Sequence, residues 1–211
     1  MANRPSDRDE PLVHIVDDDE SLAAGLKSLF RSVGLESRAY GSAADFSAAP
    51  RPDRPGCVVL DVRLPGISGL DFQAQLAEHG IRLPIVLMTG HGDIPMTVRG
   101  MKAGAIDFLA KPFRDQDMLD AVATAIDRDR QRLGRDRDMA DLRARFETLS
   151  PRERQVMILV AAGRMNKQAA GELELSEITV KIHRGSAMRK MSARTLPDLV
   201  RMAEALGLRP G

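Results

Sequence analysis

Four acidic residues, Asp17, Asp18, Asp19 and Glu20, follow directly on the apolar run VHIV at 13–16. Like charges this close repel, and a carboxylate is costly to desolvate without a positive partner. The acids therefore either sit in solvent or hold a cation. Other reactive side chains stand at or just beyond the ends of later apolar runs: Asp61 after CVVL (57–60), Thr89 after PIVLM (84–88) and Lys111 after AIDFL (105–109). Each alone has a structural explanation, since aspartates start helices, threonines end strands and lysines face solvent. Brought to one place, they would be a chemical set. Clustered carboxylates make a hard-oxygen site suited to Mg²⁺, and one of them can attack phosphorus to form an aspartyl phosphate. A metal, an ammonium and a hydroxyl would then share the equatorial oxygens of the transition state.

The elements that must position these groups are legible in the hydropathy. The four runs above, with a weaker one around SRAY (37–40), read as strands buried on both faces. Between them lie helical patterns over Leu22 to Phe30, Ala44 to Ala48, Leu70 to Leu76, Ile94 to Met101 and Leu119 to Ile126. Gly34, Gly80 and Gly104 stand where helices should end. Five strand–helix units imply a parallel sheet with helices on both faces, and in such a sheet ligands bind outside the carboxyl ends of the strands.

These residues, in this order, resemble the receiver domain of two-component response regulators over about residues 12–126, with VDDD, LDVRLPGISG, MTGHGDIPMTV and DFLAKPF as landmarks. The resemblance implies a flavodoxin-like, doubly wound, five-stranded parallel sheet. It implies that Asp61 is the phosphoacceptor, and that Asp18, Asp61 and the Arg63 backbone carbonyl hold Mg²⁺ with Asp17 acting through water. Thr89 and Lys111 would bind the phosphoryl group, Phe108 would be the aromatic switch that follows Thr89, and Lys111–Pro112 would be a cis bond. Asp19 and Glu20 receive no such role and are expected at the start of the next helix, where negative charge is favoured. The segment 90–108 is closest to the FixJ and StyR branch, in which phosphorylation drives homodimerisation through the fourth helix and fifth strand. Val98, Met101 and Lys102 are then interface residues.

The rest of the chain has a different character. Residues 1–126 hold 13 Lys/Arg against 18 Asp/Glu, 127–148 hold 7 against 6, and 149–211 hold 11 against 6. An acidic part joined to a basic one suggests two domains with different partners. Residues 127–148 read as a charged linker, solvated in its first half and helical from Met139 onward, where apolar residues recur at 139, 142, 146 and 149. Four short helices follow. Ser150–Pro151–Arg152–Glu153 is a capping-box sequence with Pro at the first helical position. Its helix stops at Gly163, a second covers about 166–172, a third about 176–191, and a fourth runs from 195–197 to 206–207.

This tail, LSPRERQVMILVAAGRMNKQAAGELELSEITVKIHRGSAMRKM, resembles the LuxR-type helix-turn-helix, so 149–211 is expected to be an all-α DNA-binding domain. At about 100° per residue, Val180, Arg184, Ala187 and Met191 fall toward the core of the third helix. Ile178, Lys181, Ile182, Gly185 and Arg189 fall on the face that would enter the major groove. By resemblance Lys181, Ile182 and Gly185 occupy the base-reading positions. Gly185 is a departure, because it offers only backbone. Asn166, Lys167, Thr179, His183, Arg184 and Lys190 are expected at phosphates. His14, His79 and His91 show no partner in the sequence, and Cys57 reads as a small strand residue.

The bulk properties agree with an intracellular regulator. One cysteine excludes an internal disulfide, the polar start MANRPSDRDEP is expected to be neither a signal peptide nor a membrane anchor, and no apolar stretch approaches the roughly 20 residues that span a bilayer. The expected partners are a sensor histidine kinase, double-stranded promoter DNA, a second copy of the chain and RNA polymerase, in the cytoplasm and away from membrane. An aspartate-nucleophile phosphohydrolase would use similar groups. Such enzymes carry a second Asp two residues after the nucleophile, where this chain has Arg63, so turnover of small substrates is not expected. A regulator working only through protein contacts is the other alternative, and the basic residues from Lys181 to Lys190 argue against it.

Overall fold

The computed structural model describes residues 10–50, 52–90 and 94–208. The polar start at 1–9 and His91 lie outside them. The chain falls into two compact units, 1–133 and 134–211.

In the first unit, five parallel strands are β1 (Leu12–Val16), β2 (Glu36–Tyr40), β3 (Gly56–Asp61), β6 (Ile85–Thr89) and β7 (Asp107–Ala110), in the order β2-β1-β3-β6-β7. They alternate with α1 (Glu20–Ser32), α2 (Ala43–Ala48), α3 (Gly69–Glu78), α4 (Ile94–Lys102) and α5 (Asp115–Glu147). This is the expected doubly wound sheet. Alternate strand residues feed two cores, as the two-residue pleat requires. Val13, Ile15, Cys57, Val59, Val86 and Met88 pack with α1 and α5, while Val58, Leu60, Ile85 and Leu87 pack on the other side with Phe46, Leu70 and Phe72. Gly34, Gly80 and Gly104 all have positive φ just past helices, as their positions suggested. An antiparallel ribbon of β4 (Arg63–Leu64) and β5 (Ile67–Ser68) was not anticipated; two residues per strand are too few to show a periodicity.

The second unit carries α6 (Pro151–Ala161), α7 (Asn166–Leu173), α8 (Glu177–Met191) and α9 (Leu196–Ala205). The capping box at Ser150 and Glu153 is formed in both directions. The helices α7 and α8 end on left-handed residues that are not glycine, Glu174 at φ 55° and Ser192 at φ 59°, so no glycine marked those stops.

Two expectations are corrected. The first half of the charged segment is not a linker but part of α5, which runs unbroken for 33 residues. The alternation of signs that suggested a solvated coil instead supplies ion pairs one turn apart, Arg130–Asp127 at 3.0 Å and Arg132–Asp129 at 2.8 Å. Asp129 also completes the buried stripe of Met118, Val122, Ala125 and Ile126. Its carboxylate is fully buried and accepts the backbone N–H of Gly56 at 3.0 Å, fastening α5 to the start of β3. The second correction concerns two histidines. His14 is buried beside Tyr40, with Nδ1 3.1 Å from the phenol oxygen, and the Phe46 ring meets it edge-on. His79 Nδ1 stands 2.7 Å from the Gln75 carbonyl.

Asp129→Ala should therefore destabilise the first unit by about 1–3 kcal/mol, because it leaves a buried N–H without an acceptor. Urea denaturation of the full chain checks this; an unchanged midpoint would mean that α5 needs no such anchor.

Candidate functional site

Register brings the expected groups of the first unit together. Val16 lies alongside Leu60, Asp61 alongside Met88, and Thr89 alongside Ala110. The residues that end or follow these strands, Asp17, Asp61, Thr89 and Lys111, therefore fall in one row across the carboxyl edge. The row sits at the β1/β3 junction, where the strand order reverses and an open sheet forms its crevice.

Lys111 holds the row together. Its ammonium donates to Asp17 Oδ2 and to Asp61 Oδ2, at 2.8 Å each. Asp17 Oδ1 accepts the Asp19 N–H at 2.8 Å, and Asp61 Oδ1 accepts the Arg63 N–H at 3.1 Å. Asp18 is exposed, and one ligand oxygen from each of Asp17, Asp18 and Asp61 lies within 4.8 Å of the others. Asp19 is the N-cap of α1, accepting the N–H groups of Ser21 and Leu22, and Glu20 is in its first turn. The run of four acids thus divides between the pocket and the helix start. Burial pushes the Asp17 carboxyl above its ordinary value, even with Lys111 and the Asp19 N–H drawing it down. Burial would lower the Lys111 ammonium, but its bonds to Asp17 and Asp61 hold it above its ordinary value.

Three carboxylates against one ammonium leave a surplus of negative charge, and all the converging atoms are hard oxygens. That donor set fits a divalent cation such as Mg²⁺. The sequence leaves the backbone no slack here: a Cβ at Gly69 would overlap the Asp61 carbonyl, so the turn into α3 presses directly on the end of β3.

Around this row, Thr89 is fully buried and the Lys111 N–H donates to its carbonyl at 2.7 Å. The Lys111–Pro112 peptide is cis. Phe108 is half-buried in the layer that contains Leu87, close to Gly100 of α4. Along α4, Val98 and Met101 are exposed large apolar residues and Lys102 is also exposed. Ile94, one turn before Val98, is the most exposed of them and was not singled out in the sequence; the four-residue spacing was its signal. On the other side of the row, a cavity of about 880 Å³ is lined by Leu22, Leu26, Leu29, Lys111, Pro112 and Phe113.

In the second unit, Val180, Ala187 and Met191 of α8 are buried, and Ile178, Lys181, Ile182 and Arg189 are exposed, as the helical spacing implied. Gly185 is half-buried, with open space where a Cβ would stand. Arg184 is half-buried and donates to Asn166 Oδ1 at 3.1 Å, which ties α8 to the start of α7. Lys167 is exposed, and His183 is half-buried. The Thr179 hydroxyl lies 2.8 Å from that of Ser176, the α8 N-cap.

Lys190, expected at a phosphate, is exposed and also has partners within the unit. Its ammonium donates to Glu153 Oε2 at 2.7 Å and to the Thr148 carbonyl at 3.1 Å. Glu153 is buried, and an uncompensated carboxylate there would cost more than a surface contact returns. Ser186 Oγ at 2.5 Å and the Ser150 N–H at 2.7 Å complete its shell. Burial alone would raise this carboxyl; the bonds from Lys190, Ser186 and Ser150 outweigh it and hold the group down at about 2.

A depressed carboxyl contributes stability that is complete above its ordinary value of 4.5 and is lost as pH falls toward about 2. Melting curves of wild type and Glu153→Gln should therefore differ most near about pH 6, draw together as pH falls below about 4.5 and converge only near about pH 2. A gap independent of pH would assign the stabilisation to packing.

Comparison with known proteins gives two family matches. Residues 13–123 match the response regulator receiver domain, and residues 147–203 match the bacterial regulatory proteins of the luxR family. The chain is 60% identical to nodulation protein W of Bradyrhizobium diazoefficiens over 93% of this chain and 87% of that protein. It is 42% identical to the transcriptional regulatory protein FixJ of Rhizobium meliloti, over 94% and 97% of the two chains. Among solved structures, the response regulator StyR superposes with a TM-score of 0.82 at 46% identity, covering 92% of this chain and 98% of that one.

Proposed function

Because the chain belongs to the response regulator family, with a receiver and a LuxR-type DNA-binding domain, we propose that phosphoryl transfer to Asp61 switches it. The chain is a two-component transcriptional regulator. The observation that carries the finer reading is Lys111, whose ammonium lies 2.8 Å from both Asp17 and Asp61 within a cluster of three carboxylates.

An Asp61 oxygen attacks phosphorus of the phosphohistidine on a sensor kinase. The new bond joins that oxygen to phosphorus, the bond from phosphorus to the histidine nitrogen breaks, and the histidine leaves with the electron pair. Each Asp61 oxygen accepts one hydrogen bond here, from Arg63 or Lys111, so lone pairs remain for attack. Mg²⁺, held by Asp18, Asp61 and the Arg63 carbonyl with Asp17 through water, would neutralise charge on the phosphoryl oxygens. Lys111 moves its hydrogen bond from the carboxylate to one phosphoryl oxygen, and Thr89 offers its hydroxyl to another. The ring of Phe108 follows Thr89 inward. The apolar cavity lined by Leu22, Leu26 and Leu29 suits a docking segment of the kinase.

Modified chains pair through α4, where Val98, Met101 and Lys102 stand exposed with Ile94. Pairing puts two basic domains on one promoter, raising effective affinity through avidity. Lys181, Ile182 and Gly185 face base edges in the major groove, with Asn166, Lys167, Thr179, His183, Arg184 and Arg189 toward the backbone. The protein acts in the cytoplasm, with RNA polymerase as its further partner; among the described residues no helix is long and apolar enough to cross a membrane.

Intact mass after incubation with acetyl phosphate and Mg²⁺ tests the switch: wild type should gain one labile phosphoryl group and Asp61→Asn none. Gain by the variant would mean a different acceptor. Sedimentation of the modified protein should show a dimer where the unmodified chain is monomeric, and Met101→Asp should abolish the shift without reducing phosphorylation. An unchanged mass on full modification would remove the dimer.

A further inference from the structure

On α8, Ile178 and Ile182 are 73% and 64% exposed, on a helix whose other large aliphatic side chains are buried or half-buried. They are four residues apart and so lie one above the other on one face. Exposed β-branched residues are poor helix formers and lose hydration entropy in water, so nothing local favours them there. Ile178 is the second residue of the helix, and Ser176 caps the same end by accepting the Thr179 N–H at 3.1 Å. This is the end whose side chains reach base edges when such a helix enters the major groove.

The surroundings limit what can cover the pair. Lys181 lies between them, Arg184 and Arg189 follow, and Gly185 leaves open space beside Ile182. Lys167 is exposed on the preceding helix. The only nearby acid on α8 is Glu177 at its first turn. A basic rim around an apolar pair disfavours another basic surface and fits a polyanion that carries apolar groups. In the major groove one base supplies such a group, thymine through its C5-methyl.

We propose that Ile178, stacked on Ile182, is a specificity-determining residue that reads thymine methyl groups. This rests on the DNA-binding reading of α8 and adds its base preference. Four residues of helix advance about 6 Å along the axis, against about 3.4 Å per base step. The two methyls recognised therefore lie about two steps apart in each half-site, on either side of the base pair facing Lys181.

Duplexes of random sequence are selected with the phosphorylated full-length protein, and each thymine of the recovered consensus is replaced in turn by deoxyuridine, which removes only the methyl. Wild type should lose about fourfold in affinity at each of two positions about two steps apart, the worth of one buried methyl. Ile178→Ala should bind the parent duplex about as weakly as wild type binds the deoxyuridine duplex at one of them, and be indifferent to deoxyuridine there alone. Because Ile178 is exposed, its removal should leave the melting temperature unchanged. Indifference of wild type to every replacement, or full retention of both methyl effects by Ile178→Ala, would overturn the assignment while leaving DNA binding intact. Recovery of no DNA by a stably folded, phosphorylated protein would overturn the DNA reading itself, and the assignment with it.

Discussion

A buried negative charge needs a partner, and in this protein that requirement organises both units. At the carboxyl edge of the sheet, Lys111 lies between Asp17 and Asp61, and three strand ends are thereby tied at one point. The ammonium answers only part of the charge. The surplus that remains is what suits the pocket to a divalent cation. A stability device and a chemical device are here the same set of bonds: whatever redirects Lys111 also alters how Thr89 and the end of β7 are held.

The second unit solves the same problem without leaving a surplus. Glu153 receives Lys190, Ser186 and the Ser150 N–H, so its charge is fully answered inside the domain. This joins α6 to α8 and fixes α8 against its support. Arg184 and Asn166 make a second link, from α8 to α7. One face of α8 is thus committed to the fold, and the other is left with Lys181, Arg189 and two uncovered isoleucines. The division between fixed and open faces is what lets a small domain present a stiff surface to DNA.

The strands, the helices of both units and the acidic row were legible because their signals are local. Apolar runs, helix-stopping glycines and the capping box each lie within a few neighbouring residues. Asp61 could be singled out because its run ends where the fold class puts the binding edge. Other features had no such signature. His14 finds Tyr40 26 residues away, and Lys190 finds Glu153 37 residues away. Asp129 did leave a trace, as a polar residue at the next position of an apolar helical stripe, but its acceptor role depends on Gly56, 73 residues distant. The charged stretch around it read as linker because alternating signs fit a solvated chain as well as a helix.

Apart from the β4–β5 ribbon and the extension of α5, the sequence by itself determined the strands and helices, their order, and which residue types arrive at the sheet's carboxyl edge and on the open face of α8. Periodicity and end signals suffice for that, since they act over one or two turns. Only the tertiary structure decided which charges answer one another. It gave Lys111 to Asp17 across 94 residues and Lys190 to Glu153 across 37. A lysine carries the same side chain in either setting; what it binds is fixed by which carboxylate the packing of distant elements has removed from water.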